Sequence, residues 1–280
     1  MPVAELYVEG DLDRELLNAA LGCVPMKRNW TVKRGGPKGS LGPQARRARG
    51  EGRGAYYIRD RDFDFDPPAT TSTPFEAEQD GERKTVLGWA WARHELESYL
   101  LEPALAMKAL GWDAGEFSAE IAAAGRRLRH YQIARWVVGT SRRRLPPHHD
   151  LGTRPADLEG HEFRLPGSLE EGATQGWCRS HIGQFANDLH AVLSDAAVSA
   201  SIAEASARLT ENAVASCSGA LTWCSGKDLL ASLDGFVRAR TIDGPNDYRR
   251  TVARWAVENP LEFLDVTPEW AAFLVLLDGR

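Results

Sequence analysis

The chain has 280 residues and a formal net charge of −5, with 34 Lys and Arg against 39 Asp and Glu; 43% of the residues are hydrophobic and 26% are charged. This composition is typical of a globular protein and excludes disordered, collagen-like and coiled-coil chains. The longest apolar runs fall far below the about 18–20 residues of a membrane span, and Glu5 and Glu9 lie where a signal peptide has basic and then apolar residues. We therefore expect a cytoplasmic protein with no membrane partner.

Strand and helix signals alternate over the first hundred residues. Runs of β-branched and aromatic residues indicate strands, and apolar residues at helical spacing indicate helices. The predicted elements are strands over 3–8, 30–32, 55–59 and 85–89, a helix from Asp11, and a helix over 94–101 that ends before Pro103. This alternation favours an α/β fold with a parallel sheet flanked by helices.

The chain becomes mainly helical after residue 104. Helical spacing is clearest over 126–138, 184–199 and 203–215, and an irregular stretch over 145–176 interrupts it. We expect a catalytic core over 1–103. The helical region over 104–280 either completes that domain or mediates dimer or partner contacts.

Four aspartates follow the third predicted strand at alternate positions, namely Asp60, Asp62, Asp64 and Asp66. In an extended chain their side chains would lie on one face, about 6–7 Å apart. Like charges this close need a cation, and carboxylate oxygens suit Mg²⁺, Mn²⁺ or Ca²⁺.

An EF-hand loop that begins at Asp60 is excluded, because Phe65 and Thr71 occupy the positions of its Gly and Glu. Asp60 and Asp62 are instead expected at the carboxyl end of a parallel strand, where α/β sheets bind ligands. Glu9 follows the first strand and should open onto the same edge.

Residues 27–59 form a basic stretch, with ten Lys and Arg and the one acid Glu51. A local excess of positive charge in an acidic protein predicts contact with a polyanion, and phosphate neutralisation supplies most sequence-independent affinity for nucleic acid. The residues expected to bind nucleic acid are Lys33, Arg34, Lys38, Arg46, Arg47 and Arg49. The alternative interpretation is a solvated, flexible basic loop.

Four short motifs resemble those of the Toprim domain in its OLD-like nuclease branch. They are Val8-Glu9-Gly10-Asp11-Leu12-Asp13, Ile58-Arg59-Asp60-Arg61-Asp62, Arg93-His94-Glu95-Leu96-Glu97-Ser98-Tyr99-Leu100-Leu101 and Trp223-Cys224-Ser225-Gly226-Lys227-Asp228-Leu229-Leu230. Ser98 departs from the Asn that is usual in the third motif. The resemblance is good over residues 3–103 and thin over 104–280.

The resemblance implies a Toprim-like sheet and metal-dependent hydrolysis of a phosphodiester in DNA or in tRNA or other RNA. Asp60 and Asp62 would hold Mg²⁺ or Mn²⁺, and Glu9 would ligate the ion or act as general base. Asp64, Glu95 and Glu97 are candidates for a second ion, with Glu97 preferred, and Asp13 is a further candidate from the first motif. By the same resemblance Lys227 reaches the scissile phosphate; the motif is not a P-loop, since Leu221 and Asp228 occupy the positions of its first Gly and its Ser or Thr.

The branch includes the effector nuclease of the PARIS phage-defence system, which is paired with an ATPase sensor. This similarity implies a bacterial anti-phage effector that is gated by an ATPase partner or by a homodimer. The competing hypothesis is a non-catalytic Toprim-like scaffold that binds nucleic acid or a partner through residues 27–59.

Overall fold

The computed structural model describes residues 3–68, 72–81, 84–146, 170–240 and 243–280. It contains a five-stranded sheet of β1 (Val3–Val8), β2 (Asn29–Arg34), β3 (Gly54–Arg59), β4 (Phe75–Asp80) and β5 (Thr85–Ala90), in the order β2-β1-β3-β5-β4. β1 runs parallel to β2 and β3, and β3 runs parallel to β5, whereas β4 is antiparallel to β5. The predicted α/β class and its mostly parallel sheet are confirmed.

Helices account for most of the remaining described residues. In chain order they are α1 (Asp11–Cys23), α2 (Lys38–Gly50), α3 (Leu96–Leu100), α4 (Pro103–Leu110), α5 (Ala114–Arg144), α6 (Glu171–Leu193), α7 (Asp195–Arg208), α8 (Cys217–Trp223), α9 (Gly226–Ser232), α10 (Asp234–Arg238), α11 (Pro245–Glu258), α12 (Pro260–Val266) and α13 (Pro268–Asp278). None of the helices in the described part of the chain is both long and apolar enough to cross a membrane.

Both faces of the sheet are covered, so β1 and β5 are buried along almost their whole length. On one face Tyr57 belongs to a buried cluster with Leu41 and Ala45 of α2. On the other, Trp89 packs against Phe273 of α13 with ring centroids 5.5 Å apart. Two covered faces are the usual setting for parallel strands and explain why their sequences are apolar at consecutive positions.

The chain divides into two compact units. One comprises Met1–Gln132 together with Leu209–Arg280, and the other comprises Ile133–Arg208. The helices after Leu209 therefore belong to the same unit as the sheet, and the boundary expected near residue 104 falls inside that unit. In the second unit, none of the residues of α6 is buried.

Two elements of the first hundred residues were not predicted from the sequence. Helix α2 contains Pro43 and several glycines, yet Leu41, Ala45 and Ala48 are buried at helical spacing against the sheet. Strand β4 is polar because it lies at the edge of the sheet and is half-exposed. Tertiary packing stabilises both elements against weak local preference.

The helical predictions further along the chain are partly confirmed. Residues 126–138 lie within α5, whereas the helix predicted over 184–199 is divided at Ser194. The segment predicted over 203–215 ends its α-helix at Arg208 and continues into a 3₁₀ turn over Asn212–Val214. Most of the irregular stretch predicted over 145–176 lies outside the described residues.

A buried carboxyl group connects α13 to the end of the sheet. Glu269 is 2% exposed; its Oε1 accepts a hydrogen bond from the backbone N of Ala92 at 2.5 Å, and its other oxygen accepts one from the hydroxyl of Tyr99. Burial raises the pKa of Glu269 from its ordinary 4.5 to about 7. The folded state therefore binds more protons than the unfolded state between these pH values, and stability must fall as pH rises through this range.

We predict that Glu269→Gln weakens the dependence of the free energy of unfolding on pH between about pH 4.5 and 7. The wild-type free energy of unfolding should fall by roughly 3 kcal/mol between pH 4.5 and 7 because of this one group, since each pKa unit corresponds to about 1.4 kcal/mol. Urea unfolding at several pH values measures the change, and Glu262→Gln, an exposed residue on α12, is the matched control. Equal slopes for Glu269→Gln and wild type would contradict the assignment.

Candidate functional site

Glu9 and Asp60 meet at the carboxyl edge of the sheet. They directly follow β1 and β3, which are parallel neighbours, so the ends of these strands lie side by side. The backbone N of Asp60 donates a hydrogen bond to Glu9 Oε1 at 3.0 Å. The expectation that these two acids share one edge is confirmed.

Asp13 lies beside them on the first turn of α1. Its Oδ2 accepts a hydrogen bond from the backbone N of Gly10 at 3.1 Å, which closes the turn between β1 and α1. Burial raises the pKa of Asp60, and the charge of Asp13 raises it further. The secondary candidate of the first motif therefore faces the same cluster.

The chain after Asp60 turns instead of remaining extended. Asp62 has φ of 47°, and residues 62–64 form a turn, so the alternating aspartates do not lie along one strand face as expected. The turn brings Asp62 and Asp64 to the same cation: Lys38 Nζ lies 2.6 Å from Asp62 Oδ2 and 2.5 Å from Asp64 Oδ2. Asp64 also forms an ion pair with Arg59.

Lys227 is held between Glu95 and Glu97. Its Nζ lies 2.8 Å from Glu95 Oε2 and 3.7 Å from Glu97 Oε2, and its backbone N donates to Glu95 Oε1 at 2.7 Å. Ser225 Oγ donates to the same oxygen at 2.6 Å. Both acids are 3% exposed, and Arg249 Nε contacts Glu97 Oε1 at 2.9 Å. The sequence motif around Lys227 is therefore connected to the motif around Glu97, although 130 residues separate Lys227 from the latter.

Gly226 allows this connection. A Cβ at this position would lie 2.4 Å from the backbone N of Ser98 and 2.7 Å from the backbone C of Glu97. Only glycine lets the beginning of α9 approach the beginning of α3 so closely. The close approach explains why a glycine precedes Lys227.

In the described part of the chain, the negative charges at the centre of the cluster have no cation in direct contact with them. Within the described residues, Glu9, Asp13 and Asp60 form no ion pair with Lys or Arg, and the buried Oδ1 of Asp60 has no hydrogen-bond partner. Burial, with the charges of neighbouring acids, raises the pKa of Asp60 well above its usual value. Burial also raises the pKa of Glu9, and raises that of Asp13 to about 6.

His94 is a site residue that was not predicted from the sequence. It is 1% exposed, and its Nδ1 lies 3.8 Å from Asp62 Oδ1. One ligand atom each from Asp62, His94 and Glu95 can be chosen so that all lie within 4.8 Å of one another, a spacing that would fit a metal ion. The only local signal was its position directly before Glu95.

The basic stretch is largely neutralised by acids of the same unit. Lys33 and Arg53 contact Glu5; burial would raise the pKa of that carboxyl, but these contacts lower it to about 2. The remaining partners are Asp11 for Arg34, Glu78 and Asp80 for Arg46, Glu51 for Arg47, and Asp80 for Arg49. Arg49 also donates to the carbonyls of Ala55 and Val86. Lys38 belongs to the acidic cluster itself.

Comparison of the chain with protein-family models finds no match, and comparison with curated proteins finds none either.

We predict that Gly226→Ala destabilises the protein by about 1–3 kcal/mol, the usual cost of overpacking, because the new methyl group must displace the backbone of α3. The matched control is Gly235→Ala in α10, where a Cβ would meet nothing within 4 Å and should stabilise the helix slightly. Thermal unfolding measures both. Equal melting temperatures for the two variants would argue against the close approach of α9 to α3.

We also predict that Asp60→Asn stabilises the protein by about 1–3 kcal/mol at pH 8 in EDTA, because it removes a buried negative charge from a cluster of carboxylates. Urea unfolding measures the difference. Asp188→Asn on the exposed surface of α6 controls for loss of one acid and should leave stability within about 0.5 kcal/mol. Destabilisation by Asp60→Asn would show that the centre of the cluster is not repulsive.

Proposed function

We propose that this protein is a metal-dependent nuclease with a Toprim-like fold that hydrolyses a phosphodiester of DNA or RNA. The observation that carries the proposal is the buried Oδ1 of Asp60, which lacks a hydrogen-bond partner and lies among other carboxylates. A protein gains no stability from such an arrangement unless a cation joins it.

The donor set fits a hard divalent cation. Carboxylate oxygens of Asp60 and Asp62 would hold the ion, and oxygen ligands of this kind suit Mg²⁺ or Mn²⁺. Asp64 and Glu97, which were predicted as further ligands, each have an arginine partner, Arg59 for Asp64 and Arg249 for Glu97. We therefore propose that one ion is held. When bound, it would supply a positive charge that polarises a phosphoryl oxygen.

Lys227 supplies a second positive charge within reach of substrate. Its side chain is 61% exposed, whereas those of its partners Glu95 and Glu97 are 5% and 4% exposed. Burial alone would lower its pKa, but the charges of these acids raise it, so the ammonium group stays protonated. A fixed cation at this edge would stabilise the charge that develops on the phosphate oxygens during hydrolysis.

Glu9 has the properties of a general base. Burial raises its pKa, and the hydrogen bond from the backbone of Asp60 fixes the direction of its carboxylate. A raised pKa brings a carboxylate closer to the working pH and makes it a better proton acceptor for an attacking water. In this proposal Glu9 takes that proton.

The biological role proposed here is that of an effector in anti-phage defence, restrained until an ATPase partner or a homodimer releases it. The support is the resemblance of the motifs around Glu9, Asp60, Glu97 and Lys227 to the OLD-like branch. An unrestrained nuclease would damage its own cell, which is a general reason for such a gate.

The decisive experiment is cleavage of plasmid DNA and bulk tRNA by the purified protein in Mg²⁺ or Mn²⁺ at low salt. We expect the wild type to retain slow cleavage of one of them without its activating partner, and Asp60→Asn and Asp62→Asn to lose more than about 100-fold of that rate, since even outer-shell groups of a metal site are worth about 10–100-fold. Asp188→Asn is the control and should cut as the wild type does. Equal cleavage by Asp60→Asn and wild type would refute the mechanism.

A second readout separates ion binding from cleavage. If Asp60 and Asp62 hold an ion, Mn²⁺ should raise the melting temperature of the wild type and leave that of Asp60→Asn unchanged. Nucleic-acid binding with no cleavage and no Mn²⁺ effect would favour the scaffold hypothesis, in which charge reversal in the basic stretch abolishes function and Asp60→Asn does not.

A further inference from the structure

A groove between α1 and α11 opens beside the acidic cluster. Its volume is about 320 Å³, and its apolar lining comprises Leu12, Ala253 and Val257. Three arginines of one helix, Arg249, Arg250 and Arg254, line it. A row of guanidinium groups on one side of a groove is a common way to bind phosphates, because each guanidinium offers several donors in a planar fork.

These arginines are less neutralised than those of the basic stretch. Arg250 is 66% exposed and lies 3.8 Å from its nearest acids, Asp243 and Asp247. Arg254 is exposed and forms no ion pair within 4 Å in the described part of the chain. By contrast, Arg46 and Arg47 both contact acids of their own unit. Helix α11 therefore carries positive charge that remains available to a polyanion.

The groove is continuous with the site. Arg249 contacts Glu97 at 2.9 Å, and Glu97 in turn lies 3.7 Å from Lys227 Nζ. On the other side, Leu12 is the neighbour of Asp13, whose charge is felt by Asp60. A polyanion in the groove would pass directly onto the carboxyl edge of the sheet.

The spacing of the arginines also suits the phosphates of an extended single strand of nucleic acid. Arg250 and Arg254 are one helical turn apart, about 6 Å along the axis of α11. Two acids, Glu15 and Glu258, lie at the same groove without forming an ion pair with these arginines within 4 Å. Their negative charges repel an anion in the groove. Neutralising one of them should therefore strengthen the binding of a polyanion, whereas removing an arginine should weaken it.

We propose that this groove binds the sugar-phosphate backbone of the nucleic acid on one side of the phosphodiester that is cut, with Arg250 and Arg254 as its phosphate contacts. The basic stretch over residues 27–59 has a mainly structural role in this scheme. The inference rests on the proposed function for the position of the cut, but the binding itself is separable from cleavage.

The test is fluorescence anisotropy of labelled single-stranded DNA and RNA oligonucleotides of one sequence, measured in EDTA so that no metal-dependent cleavage occurs. Arg254→Glu should weaken binding about tenfold at 0.1 M salt, as loss of a charged hydrogen bond does, and should reduce the slope of log affinity against log salt by about 0.7. Arg179→Glu on exposed α6 makes the same change in charge and should have little effect. Glu258→Gln should tighten binding, which a partly unfolded variant cannot do.

Three results would overturn the inference. They are unchanged binding by Arg254→Glu and Arg250→Glu, loss of binding on Arg47→Glu instead, and no binding of either oligonucleotide by the wild type. Binding that depends on α11 in a protein that cuts nothing in Mn²⁺ would support the groove and exclude a nuclease that is active without its partner. If the Arg254→Glu variant cuts nucleic acid and binds it with wild-type affinity, the nuclease would be supported and the groove refuted.

Discussion

Repulsion among half-buried carboxylates at the carboxyl edge of the sheet governs the architecture of the site. Glu9, Asp13 and Asp60 are brought together by the pairing of two parallel strands and by the first turn of α1. Because strand pairing holds these carboxylates close together, their negative charge must be balanced by cations from other elements. Lys38 contacts the acids after β3, and Lys227 contacts those of α3. Lys38 comes from α2, which precedes β3 in the chain, and Lys227 comes from α9, far after α3.

The sheet alone therefore does not make a complete site. Lys227 and Arg249 come from α9 and α11, which belong to the same compact unit as the strands although more than a hundred residues separate them in sequence. Gly226 lets α9 approach the backbone of α3, and Glu95 accepts hydrogen bonds from Ser225 and Lys227. These contacts place one exposed ammonium group beside buried acids, which suits stabilisation of a charged substrate.

Charge density along the sequence differs from charge available at the surface. Residues 27–59 are strongly basic, yet Glu5, Glu51, Glu78 and Asp80 return to contact these side chains. The basic residues of α11 are fewer and were not predicted from the sequence to bind a polyanion, but they line a groove next to the acidic cluster. Which arginine meets a polyanion is decided by the acids that fold back onto it.

The α/β class, four of the five strands and the meeting of Glu9 with Asp60 could be predicted from the sequence, because apolar runs and strand ends are local signals and parallel strands end at one edge. The sequence did not determine α2 or β4, whose residues have weak local preference, nor the turn at Asp62, which replaced the extended run of aspartates. The places of Lys38, His94 and Arg249 were decided by tertiary structure alone. Each of these side chains contacts an acid distant in sequence, and no local pattern records which distant acid a folded chain will bring to a given cation.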